Sequence, residues 1–226
     1  MISHRAYTPP LGFSALTPFY DRAVASLTRE GVWRAKLAGH LCAAPGETIL
    51  DVGAGTGTLA ILVSAREPRC SYRGIDPDGA AVAIARRKAA LAGSPASFEV
   101  GTFGGPPASN PERADKVVCS LVLHQVPLDE KRRLLRSMLE WLKPGGQLFV
   151  ADYGAQSSLA MRLAFRLTVQ LLDGKADTQR NADGALPLLI AEAGFEDPIT
   201  LEETDTLTGR IEIIRARRPL SGGSFR

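Results

Sequence analysis

Seven consecutive residues, Asp51-Val52-Gly53-Ala54-Gly55-Thr56-Gly57, carry the most specific chemistry in this chain of 226 residues. They close a short apolar run, TILDVG, and precede a helix-forming run, TLAILVSARE. Glycines at such a junction let the backbone turn tightly and let a ligand approach the main chain. About nineteen residues after the last glycine, a second β-like run, SYRGID, ends in Asp76. An acid there can accept hydrogen bonds from both ribose hydroxyls of an adenosine. Together these features predict a nucleoside-binding edge at the carboxyl ends of two strands.

Two cofactor classes compete for such an edge. A dinucleotide fingerprint, G-x-G-x-x-G/A, needs a small third residue where the helix meets the pyrophosphate. Counted from Gly53, that place holds Thr58. The glycines follow G-x-G-x-G instead, with Asp51 two positions ahead. A carboxylate there repels a diphosphate and suits a cation such as the ammonium of a methionine moiety. The charge pattern therefore favours S-adenosylmethionine, with a nicotinamide oxidoreductase as the weaker alternative.

The elements around this edge alternate. Strands are predicted over 48–53, 71–76, 97–103, 115–123 and 147–154, and helices over 58–67, 78–93 and 128–142. On the second helix Ala81, Ile84, Ala85 and Lys88 share one face, and Gly93 suits its C-cap. On the third, Leu135, Met138, Leu139 and Leu142 point inward, and Lys143-Pro144-Gly145-Gly146 stops it. Residues 154–185 read as an insertion of one helix plus a polar loop. A helix near 186–193 and two β-rich runs, FEDPITLEET and LTGRIEIIRARR, end the pattern as an antiparallel hairpin. Such alternation with short links defines an α/β domain around a parallel sheet with right-handed crossovers. Residues 1–45 read as a helical cap, with Thr17 and Pro18 opening a first helix and Gly31 separating it from a second. The binding domain is expected over 46–217 and a tail over 218–226.

Composition narrows the partners. The chain holds 27 Lys+Arg against 24 Asp+Glu, too small a surplus to mark a nucleic-acid binder. Arg215, Arg217, Arg218 and Arg226 are expected in a solvated tail. Cys42, Cys70 and Cys119 are odd in number and far apart, which suits free thiols in a reducing compartment. No apolar signal core opens the sequence, and the run from Leu159 to Leu172 is too short and too charged to span a bilayer. A cytoplasmic location is expected. No HExxH-like metal constellation occurs.

The same residues resemble the class I S-adenosylmethionine-dependent methyltransferases. ILDVGAGTG is similar to that family's first motif, GIDPD to its acidic second motif, KVVCSLVLHQV to the fourth-strand motif and LKPGGQLFVADYG to the segment after the following helix. The terminal hairpin resembles the pair that supplies the family's reversed seventh strand. The resemblance spans roughly residues 45 to 217 and is nearest the small-molecule branch that includes ubiquinone/menaquinone biosynthesis methyltransferases. It implies a Rossmann-like, seven-stranded, mostly parallel sheet with helices on both faces. It also implies that Asp51, Gly53, Ala54, Gly55 and Gly57 surround the methionine part, that Asp76 and Pro77 border the ribose, and that Thr102 and Phe103 lie near adenine. Ser120, Leu121 and His124 would line the floor facing the sulfonium, and Tyr20 would close over the cofactor. One departure stands out: the third strand ends in Gly101-Thr102, where this branch often has Gly-Asp.

Methyl transfer from a sulfonium is an in-line displacement in which the enzyme mainly positions and desolvates. A base is needed only when the nucleophile must lose a proton. His124 is the best candidate, since its ordinary pKa suits proton transfer near neutrality; the alternative is that it packs beside the cofactor. Asp152 is a weaker candidate, more naturally a loop anchor. Arg162 and Arg166, four apart on one helical face, can receive an anionic group or form a solvated face. The apolar residues around them are open to a hydrophobic acceptor, a second copy in a homodimer or, by default, the core. No Asn/Asp-Pro-Pro-Tyr/Phe tetrapeptide follows the fourth strand, which marks down adenine or glutamine nitrogens as acceptors and leaves a small molecule. A protein that binds S-adenosylmethionine without transferring its methyl group stands as the second reading, because fold alone does not fix function.

Overall fold

The computed structural model describes residues 28–104 and 113–220. Tyr20, the helix expected after Thr17-Pro18, and Arg226 lie outside those residues. The five residues of β1 (Thr48–Val52) are all buried, as a central strand covered on both faces requires. Around it run β2 (Ser71–Asp76), β3 (Ser97–Val100), β4 (Ala114–Ser120), β5 (Leu142–Tyr153), β6 (Glu196–Thr206) and β7 (Gly209–Arg217), in the sheet order β3-β2-β1-β4-β5-β7-β6. The first five pair in parallel, and β7 runs antiparallel to both β5 and β6. The strand order reverses between β1 and β4, and the crevice beyond their carboxyl ends is where open α/β sheets bind ligands.

Alternating side chains divide the interior into two cores. On one face, α1 (Glu30–Leu41), α2 (Thr58–Arg66) and α3 (Gly79–Ala92) bury Trp33, Leu37, Leu59 and Val82 against Ile49, Tyr72 and Phe98. On the other, α4 (Leu128–Trp141) and α8 (Leu186–Glu192) bury Leu135, Met138 and Ile190 against Leu50, Val52 and Val117. The inward residues of α3 are Val82, Ala85 and Ala89, one residue round from the face expected. Lys88 instead sends its ammonium to the hydroxyls of Thr56 (2.9 Å) and Thr58 (3.1 Å), tying the glycine loop to α3. The chain turns at Arg29, whose φ is 51°, so Gly31 falls inside α1.

The insertion departs furthest from expectation. It holds three short helices, α5 (Leu159–Leu167), α6 (Val169–Asp173) and α7 (Lys175–Ala182), rather than one helix and a loop. Thr168 breaks the apolar run: its hydroxyl bonds back to the Ala164 carbonyl at 2.7 Å, a contact that bends helices. The polar α7 is helical because it docks on α4. Lys131, with no exposed surface, donates to the Asp177 carbonyl (2.5 Å) and to Asn181 Oδ1 (2.9 Å), and Asn181 Nδ2 donates to the Tyr153 carbonyl. Burial lowers the Lys131 pKa, while the Asp152 and Asp177 carboxylates resist that shift. Lys131→Ala should therefore cost roughly 2–4 kcal/mol in urea unfolding, from a cavity and two stranded acceptors; a loss below about 0.5 kcal/mol would mean the insertion docks without it.

Arg215 and Arg217 lie in β7, and Arg217 pairs with Asp197 at 2.6 Å. Arg218, expected in a solvated tail, donates to the Leu139, Glu140 and Leu142 carbonyls at 2.9, 3.2 and 2.6 Å. These carbonyls lie where α4 ends and β5 begins, and a cation is favoured at a helix C-terminus. No helix among the described residues is long and apolar enough to cross a membrane.

Candidate functional site

The carboxyl ends of β1, β2 and β4 converge on the glycine loop. Asp51 sits at 1 % exposure on the α1 side of β1. Its Oδ2 accepts the Tyr72 hydroxyl at 2.8 Å, and its Oδ1 is buried with no hydrogen-bond partner among the described residues. Burial pushes the Asp51 carboxyl up to about 6; the Tyr72 hydroxyl and then the Arg34 guanidinium pull it down, and Asp76 adds a smaller upward push. A buried carboxylate oxygen without a donor is costly in the ligand-free protein. It matches a cationic nitrogen donor, which is what the methionine ammonium supplies.

The loop amides tell against a diphosphate. Gly53 and Ala54 donate to the Ile75 carbonyl at 2.9 and 3.1 Å, and Gly55 donates to Asp76 Oδ2 at 2.7 Å. Three N–H groups that could cradle a phosphate are thus committed to β2. Two of the glycines do different work. Gly55 has φ 52°, and a Cβ there would meet nothing within 4 Å, so its backbone borders open space. Gly57 has φ 73°, and a Cβ there would fall 2.8 Å from Ala85 Cβ and Phe98 Cζ. Gly57→Ala should cost roughly 2–4 kcal/mol, from a left-handed backbone plus overpacking, and Gly55→Ala about 1 kcal/mol. Equal losses in thermal unfolding would contradict this division of roles.

Asp76, with 9 % exposure, accepts from Gly55 N and, through Oδ1, from Asp78 N at 2.9 Å. Burial raises its pKa against those two backbone donors. Each oxygen keeps a further lone pair for a hydroxyl. Pro77 and Thr102 are exposed beside it. Phe103 turns away into the α4-side core, its ring 6.0 Å from that of Trp141.

Beyond β4, Ser120 is buried, and Leu121 adopts φ 55° while its N–H bonds to the Ala151 carbonyl at 2.9 Å. A left-handed non-glycine residue stores backbone strain, which concentrates at functional sites. A single 3₁₀ turn, Leu123–Gln125, follows. Asp152, with no exposed surface, fastens it: its oxygens accept from Leu123 N (2.7 Å), His124 N (3.3 Å) and Tyr153 N (2.7 Å), and Oδ1 pairs with His124 Nδ1 at 2.7 Å. These contacts make Asp152 the anchor of the turn. The His124 ring meets Tyr153 edge-on at 5.0 Å, and Tyr153 meets Phe165 at 5.2 Å.

The sequence reading passed over Tyr72, Arg34, Lys131 and Tyr153. A signal existed for Tyr72: alternation along β2 puts Tyr72, Gly74 and Asp76 on one face, and Gly74 stands opposite Asp51 in the register. Arg34 and Lys131 come from helices whose docking no local pattern specifies.

A family model described as a methyltransferase domain matches residues 49–146. The chain is 27 % identical to the ubiquinone/menaquinone biosynthesis C-methyltransferase of Geotalea daltonii, over 62 % of its own length and 61 % of the relative's. It is 29 % identical to the demethylmenaquinone methyltransferase of Deinococcus radiodurans, over 70 % and 65 %, so these matches span less than two thirds of each relative. An O-methyltransferase family protein from Burkholderia thailandensis superposes with a TM-score of 0.68 at 18 % identity, covering 90 % of this chain and 59 % of that one. Magnesium protoporphyrin IX methyltransferase from Synechocystis, solved with S-adenosylhomocysteine bound, gives 0.59 at 21 % identity, covering 88 % and 83 %. Over residues 49–146 the chain is thus similar to a methyltransferase domain, and it shares the seven-stranded fold of these solved methyltransferases, one of which holds S-adenosylhomocysteine.

Proposed function

We propose that this chain transfers the methyl group of S-adenosylmethionine to a small-molecule acceptor. The observation that carries the reading is the buried Oδ1 of Asp51, without a partner among the described residues, next to a loop whose central glycine faces open space. When bound, the cofactor supplies an already activated methyl group. Asp51 holds its ammonium, Asp76 its ribose hydroxyls, and Gly53, Ala54, Gly55 and Gly57 set the loop under it. Pro77 borders the ribose and Thr102 the adenine side, with Phe103 fixing the segment from behind. Ser120 and Leu121 form the floor toward the acceptor.

His124 is the group that moves a proton. Asp152 pairs with Nδ1 at 2.7 Å, which sets the ring's orientation, as the acid of a hydrolase triad does. Proton transfer from the acceptor then falls to Nε2. Incubation with S-adenosylmethionine and a panel of small hydroxyl and carbon acids tests the reading through S-adenosylhomocysteine release. Acceptor-dependent release is the expected result. Tight cofactor binding with no release for any acceptor would favour a protein that binds S-adenosylmethionine without using its methyl group.

A further inference from the structure

The insertion encloses a second feature that the cofactor edge does not use. A cavity of about 850 Å³ lies among α5, α6, α7 and the chain leaving β5, and no residue of the glycine loop lines it. Its charged lining is uneven: Arg162, Arg166 and Lys175 against Asp183 alone. Asp183 already accepts from Gln179 Nε2 at 2.8 Å. Arg162 spends its Nε on the Gln156 carbonyl at 2.9 Å, which fixes the side chain and reserves its two terminal nitrogens. Among the described residues none of the three cations is in an ion pair. Leu159, Leu163 and Phe165 line the same cavity.

We propose that this cavity binds an anionic amphiphile, a molecule with one acidic group on an apolar or aromatic body. Two guanidinium groups four residues apart on one helix, with an ammonium in the same lining, match an oxyanion better than any neutral polar group. The apolar wall takes the body. The wall also connects to the site: Phe165 lines the cavity, touches Tyr153 at 5.2 Å, and Tyr153 touches His124 at 5.0 Å. Gln156, on the cavity floor, is locked by Arg210 N on Oε1 (2.8 Å) and by the Gly154 carbonyl on Nε2 (2.8 Å). The anionic end thus rests on a rigid base, and the buried Phe165 and Tyr153 link the cavity wall to His124 behind it. As acceptor of the methyl group the ligand rests on the reading above; as occupant of the cavity it stands on the lining alone.

Two fluorescent probes with the same aromatic body separate charge from apolar contact: 1-anilinonaphthalene-8-sulfonate and the uncharged N-phenyl-1-naphthylamine. The full chain should bind the sulfonate about tenfold more tightly, and added salt should narrow the gap. Arg166→Gln with Lys175→Gln should weaken the sulfonate about tenfold, leave the neutral probe unchanged, and leave calorimetric binding of S-adenosylhomocysteine unchanged. Both side chains are exposed, so the double variant should keep its melting temperature. Equal binding of the two probes, or sulfonate binding indifferent to the double variant, would overturn the anion site. Charge-dependent sulfonate binding in a protein that ignores S-adenosylhomocysteine would keep the site and reject the methyl-transfer reading.

Discussion

Asp51→Asn should raise the melting temperature of the ligand-free protein and, in the same molecule, remove most of its affinity for S-adenosylmethionine. Both effects come from one buried oxygen. Burial moves the Asp51 carboxyl from 3.8 to about 6, so carrying its charge at neutral pH costs the folded state roughly 3 kcal/mol, at about 1.4 kcal/mol per pKa unit. Asparagine keeps an acceptor for the Tyr72 hydroxyl and carries no charge. For a domain of this size, relief of that cost is worth roughly 5–10 °C. The folded pKa lies above the unfolded one, so protonation of Asp51 favours the fold. That contribution is complete below pH 3.8 and is lost as pH rises through about 6. The gap in melting temperature between variant and wild type should therefore widen from pH 5 to pH 7.5. Binding moves the other way, because the variant cannot neutralise an ammonium and should bind about 10–100-fold more weakly. A variant that is less stable at every pH, or one that binds normally, would show that this carboxylate is structural.

His124→Ala should lower turnover by roughly 10²–10⁴-fold, the range for loss of a positioned base, with cofactor affinity changed no more than about threefold. Asp152→Asn should also lower turnover, since the amide nitrogen cannot accept from the turn's N–H groups or from His124 Nδ1–H. It should lower the melting temperature as well, because Asp152 fastens Leu123, His124 and Tyr153 at once, whereas His124→Ala leaves the backbone contacts in place. Single-turnover rates with saturating cofactor separate the two. Unchanged turnover in His124→Ala would remove the base role.

The sheet was legible because its signals are local. TILDV, SYRGID and the terminal hairpin each carry their burial pattern and turn residues within a few positions, and the register follows. The placement of Asp51 and Asp76 at the carboxyl ends of β1 and β2 was legible because the motif spacing fixes it. The insertion was not. KADTQRNA has no apolar stripe, and its helix is held by a lysine from a distant helix that bonds the Asp177 carbonyl and the buried Asn181. A polar helix held by side-chain bonding looks like a loop to any hydropathy pattern. Thr168 likewise ends a helix in mid-run through a hydroxyl contact that its apolar neighbours conceal. The pairing of Asp152 with His124 spans 28 residues, a separation at which only the fold brings two side chains together.

Calorimetric titration of the purified chain with S-adenosylhomocysteine and, separately, with NAD at pH 7.5 and pH 5 tests the central claim most directly. A carboxylate that selects a cationic amino-acid tail predicts saturable one-to-one binding of S-adenosylhomocysteine, weaker at pH 5, and no heat from NAD. Binding of NAD without S-adenosylhomocysteine, or S-adenosylhomocysteine binding that ignores both pH and Asp51→Asn, would contradict it.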